Sequence, residues 1–208
     1  MTKRIALLFS GQGAQSVGMG KDLSAQSGSA ADLFRRADAL LGWPLSHVAW
    51  DGPEAELTQT RCCQPALFVH GLACLAALNE QIRDFHPQAA AGLSLGEFTA
   101  HAAAGTFDFE TGLQLVAQRG ALMQEACEQT VGAMAAMIGA EESAVRALAG
   151  ECDVDLANLN SPGQIVISGE LSKVSVAVSL AKEHGIRVAK MLIVAGAYHS
   201  RLMNSAFL

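Results

Sequence analysis

Short continuous apolar runs alternate with segments of helical periodicity through the first 128 residues. Ile5-Ala6-Leu7-Leu8-Phe9 is apolar throughout and ends in Ser10-Gly11-Gln12-Gly13, the pattern of a buried parallel strand entering a turn. A helix is predicted over 29–41, with Leu33, Ala37, Leu40 and Leu41 as its apolar positions and a stop at Gly42. A second is predicted from Pro65 to Ile82, broken before Pro87. Ala89-Ala90-Ala91 reads as the end of a short strand and 97–104 as a helix. A strong helix follows over 109–127, with Asp108 as N-cap and Thr111 and Gly112 in its first turn. Strands interleaved with helices predict an α/β architecture with a parallel sheet.

From Gly132 the texture changes. Residues 132–138, 155–159, 164–168 and 187–194 read as strands, and 141–149 and 171–184 as helices, the last stopped by Gly185. Asn160-Ser161-Pro162-Gly163 joins the middle pair of strands as a turn. The order β-α-β-β-α-β is that of a ferredoxin-like split βαβ unit. The predicted organisation is therefore a small ferredoxin-like domain over 129–194 inserted into a large, α/β-hydrolase-like domain formed by 1–128 and 195–208.

Half of the 208 residues are hydrophobic and only 16% are charged, which predicts a well-buried globular protein. No apolar run reads as a membrane span, and Met1-Thr2-Lys3-Arg4-Ile5 does not open a signal peptide, so a cytoplasmic location is expected. Cys62, Cys63, Cys74, Cys127 and Cys152 are odd in number and match no zinc or redox spacing; they are expected to be buried thiols, with no metal site. The net charge of −6 is uneven. Residues 171–208 set five cations against one carboxylate, a net of +4, and the rest of the chain carries −10. Such a balance argues against nucleic acid. It leaves open an acidic protein partner at the basic segment, or simply a solvated basic face.

The strongest chemical signal is Gly92-Leu93-Ser94-Leu95-Gly96-Glu97, a Gly-x-Ser-x-Gly turn between a strand and a helix. That context holds a serine in a strained conformation with its hydroxyl outward, and the helix aims free N–H groups at a nascent oxyanion. A serine needs a base. Among the six histidines, His101 is two turns along the elbow helix and too far to reach Ser94. His184 ends a helix, where an imidazolium offsets the dipole, and His47 and His86 stand near prolines. His199 follows an apolar strand in a small-residue loop, where a base or an ordinary surface histidine would equally sit.

Four separated motifs carry a resemblance: Gly11-Gln12-Gly13-Ala14-Gln15, the serine turn, Gln118-Arg119-Gly120 with Met123, and Asn158-Leu159-Asn160-Ser161-Pro162-Gly163-Gln164. In order and spacing, over essentially the whole chain, they resemble the malonyl-CoA:acyl carrier protein transacylases of fatty acid and polyketide synthesis. The resemblance implies Ser94 as nucleophile, His199 as base and then acid for the leaving thiol, and the backbone N–H groups of Gln12 and Leu95 as oxyanion hole. It implies that Arg119 grips the malonyl carboxylate, a pairing that suits a planar guanidinium, and that Met123 and Asn160 line the substrate site. It implies a ping-pong reaction, with malonyl-CoA as substrate and no cofactor, in which malonyl-Ser94 passes its acyl group to the phosphopantetheine thiol of acyl carrier protein. The carrier would dock near Lys173, Lys182, Arg187, Lys190 and Arg201 on a monomer.

The sequence departs from the family at Leu93, where histidine is usual, so altered local packing is expected. Members are also longer, so the chain reads as an incomplete large domain, and no residue is identified that orients His199; Asp153 and Asp155 fall in the small domain's strands. Two rival readings use the same residues: a serine hydrolase or thioesterase, which has no need of Arg119, and an inactive scaffold paralogue.

Overall fold

A computed structural model of the chain describes residues 4–206. It divides into two compact units, Met1–Ala121 and Leu122–Leu208.

In the first unit, β1 (Ala6–Phe9) pairs in parallel with β2 (Ala89–Gly92), Phe9 opposite Gly92. Between them come α1 (Lys21–Gln26), α2 (Gly28–Leu41), α3 (Leu45–Asp51), α4 (Glu54–Leu57) and α5 (Thr60–Gln81). After β2 come α6 (Leu95–Ala103) and the start of α7 (Phe109–Gln129). α2 begins where the Ser27 hydroxyl accepts from the Ala30 N–H at 3.1 Å. Phe34, Leu45, Leu57, Phe68, Leu95 and Leu113 close the core.

Three helices, α1, α3 and α4, were not predicted; each is at most two turns long, too short to show a period. α5 begins five residues before Pro65. The proline sits inside the helix and is buried, so its ring fills the core although it cannot donate a backbone bond. The 22-residue α5 is also long and apolar enough, by composition alone, to cross a bilayer, which corrects the expectation that no run is. Over half of its apolar window is buried in the fold, as in a core helix. α7 starts as predicted, with the Asp108 carboxylate accepting from the Thr111 N–H at 2.8 Å.

The second unit contains β3 (Gly132–Ile138), α8 (Glu142–Cys152), β4 (Asp155–Ser161), β5 (Gln164–Glu170), α9 (Leu171–Leu180) and β6 (Val188–Met191), followed by a 3₁₀ turn over Arg201–Ala206. The strands form one antiparallel sheet in the order β4-β5-β3-β6. Alternation sorts the two faces. Ala133, Ala135 and Met137 of β3 join Ile165 and Ile167 of β5 in a core with α8 and α9 residues such as Leu148 and Val174. Met134 and Val166 point the other way, to Met123, Cys127 and Tyr198.

Three boundaries are corrected. Asn160 and Ser161 belong to β4, which leaves Pro162-Gly163 as the turn, with Gly163 at φ 75°. α9 ends at Leu180 and tightens into three-residue bonds, such as Gly185 N–H to the Lys182 carbonyl, before Gly185. β6 covers only the four residues that pair with β3. The described residues form no disulfide, and Cys74 is exposed whereas the other four cysteines are buried.

Candidate active site

The serine turn is built by backbone touching backbone. A methyl group at Gly92 would overlap the Gly96 carbonyl, and one at Gly96 would overlap the carbonyl of Phe9. The end of β1, the end of β2 and the first turn of α6 therefore close on one another only because both positions lack a side chain. Ser94 lies between them at φ 54°, ψ −101°, in the N-cap position of α6. A non-glycine residue there is strained, and the packing around it keeps it so. The Leu95 side chain is fully buried, which fixes its backbone N–H at the positive end of the helix beside Ser94. Leu93 is exposed, and its carbonyl accepts from the Gly96 N–H at 2.9 Å, so this turn depends on its backbone more than its side chain.

Arg119, on α7, reaches this turn. Its Nη2 donates to Ser94 Oγ at 2.9 Å, and its Nη1 donates to Gln64 Oε1 at 2.6 Å. The guanidinium carbon stands 5.5 Å from the centre of the Phe98 ring, one turn into α6. Burial pulls its pKa below the ordinary arginine value and the nearby Glu97 opposes part of that shift; a guanidinium remains cationic. Gln12, on the loop after β1, donates from Nε2 to Thr60 Oγ1 at 3.3 Å. Thr60 and Gln64, one turn apart and fully buried at the start of α5, thus hold Gln12 on one side and Arg119 on the other.

Sequence reasoning missed Thr60, Gln64 and Phe98. The available signal was a glutamine inside an otherwise apolar helical run, since a buried amide must have a partner. The neighbouring Cys63 is no rival nucleophile, because burial pushes its thiol up to about 12.

Met123, Asn160 and His199 lie in the second unit. Met123 is buried in the apolar cluster with Cys127, Met134, Val166 and Tyr198. Asn160 is exposed near the end of β4. His199 is exposed at φ 57°, between buried Tyr198 and buried Ser200. Among the proposed docking cations, Lys173 pairs with Asp153 and Glu170, and Arg201 with Asp153 and Asp155. Lys182, Arg187 and Lys190 are exposed and form no ion pair among the described residues.

The structure thus unites the serine turn, Leu95 and Arg119, with Gln12 tied to the same helix start. Residues 6–207 match the family model of the acyl transferase domain. The chain belongs to that family. This acyl transferase domain is 43% identical over 208 residues to the malonyl CoA-acyl carrier protein transacylase of Bacillus subtilis (strain 168), covering 98% of the chain. It is similar in structure to the malonyl CoA-acyl carrier protein transacylase of Coxiella burnetii, with TM-score 0.92, 36% identity, and 98% of this chain and 66% of that one covered. A solved complex of a type II PKS acyl-carrier protein with its malonyl-transacylase matches at TM-score 0.91 and 36% identity, over 98% of this chain and 67% of that one. The chain spans 65% of the length of the Bacillus relative.

Proposed function

We propose that this acyl transferase domain moves a malonyl group from malonyl-CoA to the phosphopantetheine thiol of acyl carrier protein. The observation that carries the reading is the 2.9 Å hydrogen bond from Arg119 Nη2 to Ser94 Oγ. A half-buried guanidinium beside a nucleophile suits an acyl group only a few atoms long that ends in a carboxylate. A hydrolase of neutral esters would gain nothing from it.

In this reading Ser94 Oγ attacks the thioester carbonyl while the His199 imidazole takes its proton. The N–H groups of Gln12 and Leu95 hold the oxyanion, and coenzyme A leaves as the thiol, protonated by His199. Arg119 turns from the serine to the malonyl carboxylate once substrate is bound. The carrier's thiol then attacks malonyl-Ser94 in the same way, so no cofactor is needed. Asn160 lines the acyl site, and Met123 contributes as the packing partner beneath Tyr198.

The finer architecture we infer is an α/β-hydrolase-like large domain, 1–128 with 195–208, carrying a ferredoxin-like insert over 129–194. The sheet order β4-β5-β3-β6 supports the insert. The acidic carrier is proposed to dock on the insert's basic surface, chiefly at Lys182, Arg187 and Lys190, given that Lys173 and Arg201 already have carboxylate partners. A monomer in the cytoplasm completes the reading.

The test is intact-protein mass spectrometry with malonyl-CoA and then holo carrier protein. A malonyl adduct that maps to Ser94 and passes to the carrier is expected. Free malonate with unmodified carrier would indicate a hydrolase, and absence of the adduct from folded protein a scaffold.

A further inference from the structure

His199 is an exposed side chain on a backbone that an L-residue rarely adopts. A strained φ of this kind persists only where the flanking structure over-determines it. On its N-terminal side, the chain is fixed by burial. Gly196 lies against the Cys127 side chain, Ala197 against Gly132, and the Tyr198 ring in the cluster with Met123 and Met134. On its C-terminal side, Ser200 Oγ donates to the Ala197 carbonyl at 2.6 Å and accepts from the Leu202 N–H at 3.2 Å.

The next residue is gripped from another element. Arg201 N–H donates to Asp155 Oδ2 at 2.8 Å, Nη2 to Asp155 Oδ1 at 2.8 Å, and Nε to both oxygens at 3.1 and 3.2 Å. Its remaining terminal nitrogen, Nη1, donates to Asp153 Oδ1 at 2.6 Å. Asp153 is itself held by Lys173 Nζ at 2.8 Å, and Lys173 also donates to Glu170 at 3.0 Å. One carboxylate at the first residue of β4 thus fixes both the backbone and the side chain of a residue two positions past the histidine. An isolated surface ion pair would do little, but a two-pronged guanidinium–carboxylate pair within a network has one geometry.

We propose that Asp155, assisted by Asp153, is a positioning residue for the His199 imidazole and acts through Arg201. The proposal rests on the reading of His199 as the base. It gives the two aspartates a role different from the third member of a triad: they hold the loop that carries the imidazole.

Asp155→Asn and Arg201→Lys test it in the 208-residue chain. Both keep side-chain size but lose the two-pronged charged pair. Hydrogen exchange over 196–206 is expected to quicken about ten-fold in either variant, with 132–138 unchanged. The maximal rate of malonyl-Ser94 formation is expected to fall about ten-fold at unchanged KM for malonyl-CoA, because the imidazole is misplaced and not removed. The midpoint of the pH–rate profile should stay put.

Unchanged exchange in Asp155→Asn would overturn the proposal whatever the activity. Faster exchange with an unaltered acylation rate would overturn it too, showing a loop tied for structure alone. His199→Ala separates this from the underlying reading. If it acylates at the unsubstituted rate, the base assignment fails and takes the proposal with it. If it is inactive while Asp155→Asn is normal, only the clamp fails.

Discussion

The nucleophile and its proposed base are held by opposite means. Around Ser94, strand end, turn and helix start touch backbone to backbone, and the side chains that support the site, Thr60, Gln64 and Leu95, are fully buried. Around His199, the chain is pinned by buried Ala197 and Tyr198 on one side and by exposed ion pairs on the other. The two residues share a left-handed φ, 54° and 57°. The strain is alike and the restraint is not. A backbone-packed turn tolerates almost no substitution, whereas a side-chain clamp loosens by degrees and answers to pH.

The largest expected effect breaks the first half of that comparison. Gly92→Ala forces a methyl group into the Gly96 carbonyl and should lower unfolding stability by about 3 kcal/mol, read from urea denaturation. Gln64→Leu comes next. It leaves the Arg119 Nη1 without its acceptor while keeping the helix apolar, at a cost of about 2 kcal/mol in transition-state binding. That is about a thirty-fold loss in kcat/KM for malonyl-CoA, measured in single-turnover acylation, with unfolding stability little altered.

The clamp answers to acid instead. Hydrogen bonds from Arg201 hold the Asp155 carboxyl below its ordinary range, and those from Lys173 and then Arg201 do the same for Asp153. Their folded-state pKa values are depressed, so the stability they contribute is present above the unfolded values and is lost as pH falls through the folded ones. Exchange protection over 196–206 should therefore hold from neutral pH to about pH 4 and fall below it. The serine turn should show no matching step, since the bonds that hold it, Gly96 N–H to the Leu93 carbonyl and Arg119 Nη2 to Ser94 Oγ, use no carboxylate. Smallest is Leu93→His, which restores the residue usual in the family. With an exposed side chain and a turn dependent on backbone, it should change the acylation rate by less than about two-fold.

The serine turn was legible in the sequence because its two glycines and its serine are spaced by the steric demands of a strand-to-helix elbow. The strands of the second unit were legible because alternation sorts Met134 and Val166 from their neighbours. Gln64 was not, because in an apolar helix buried on most of its face no period marks which residue turns toward a site. Arg119 was read from family resemblance; its place on a long, otherwise ordinary helix gave no signal of its own. Asp153 and Asp155 looked like strand residues; Asp155 opens β4, but Asp153 is the left-handed C-cap of α8 at φ 54°, and their partner Arg201 lies about 46 residues beyond Asp155. Long-range ion pairs leave no local pattern. The start of α5 was misread because the helix passes through Pro65, where burial of the ring outweighs the lost backbone bond.

The central claim is that Arg119, by its contact with Ser94, reads the free carboxylate of the acyl group. It is tested most directly by offering malonyl-CoA and acetyl-CoA together to the unsubstituted chain and to Arg119→Ala, and weighing the adducts on Ser94. The account predicts a strong malonyl preference that collapses in the variant by about a hundred-fold or more, with acetyl-Ser94 forming at least as well as before. A malonyl-to-acetyl ratio that is the same in both proteins would contradict it.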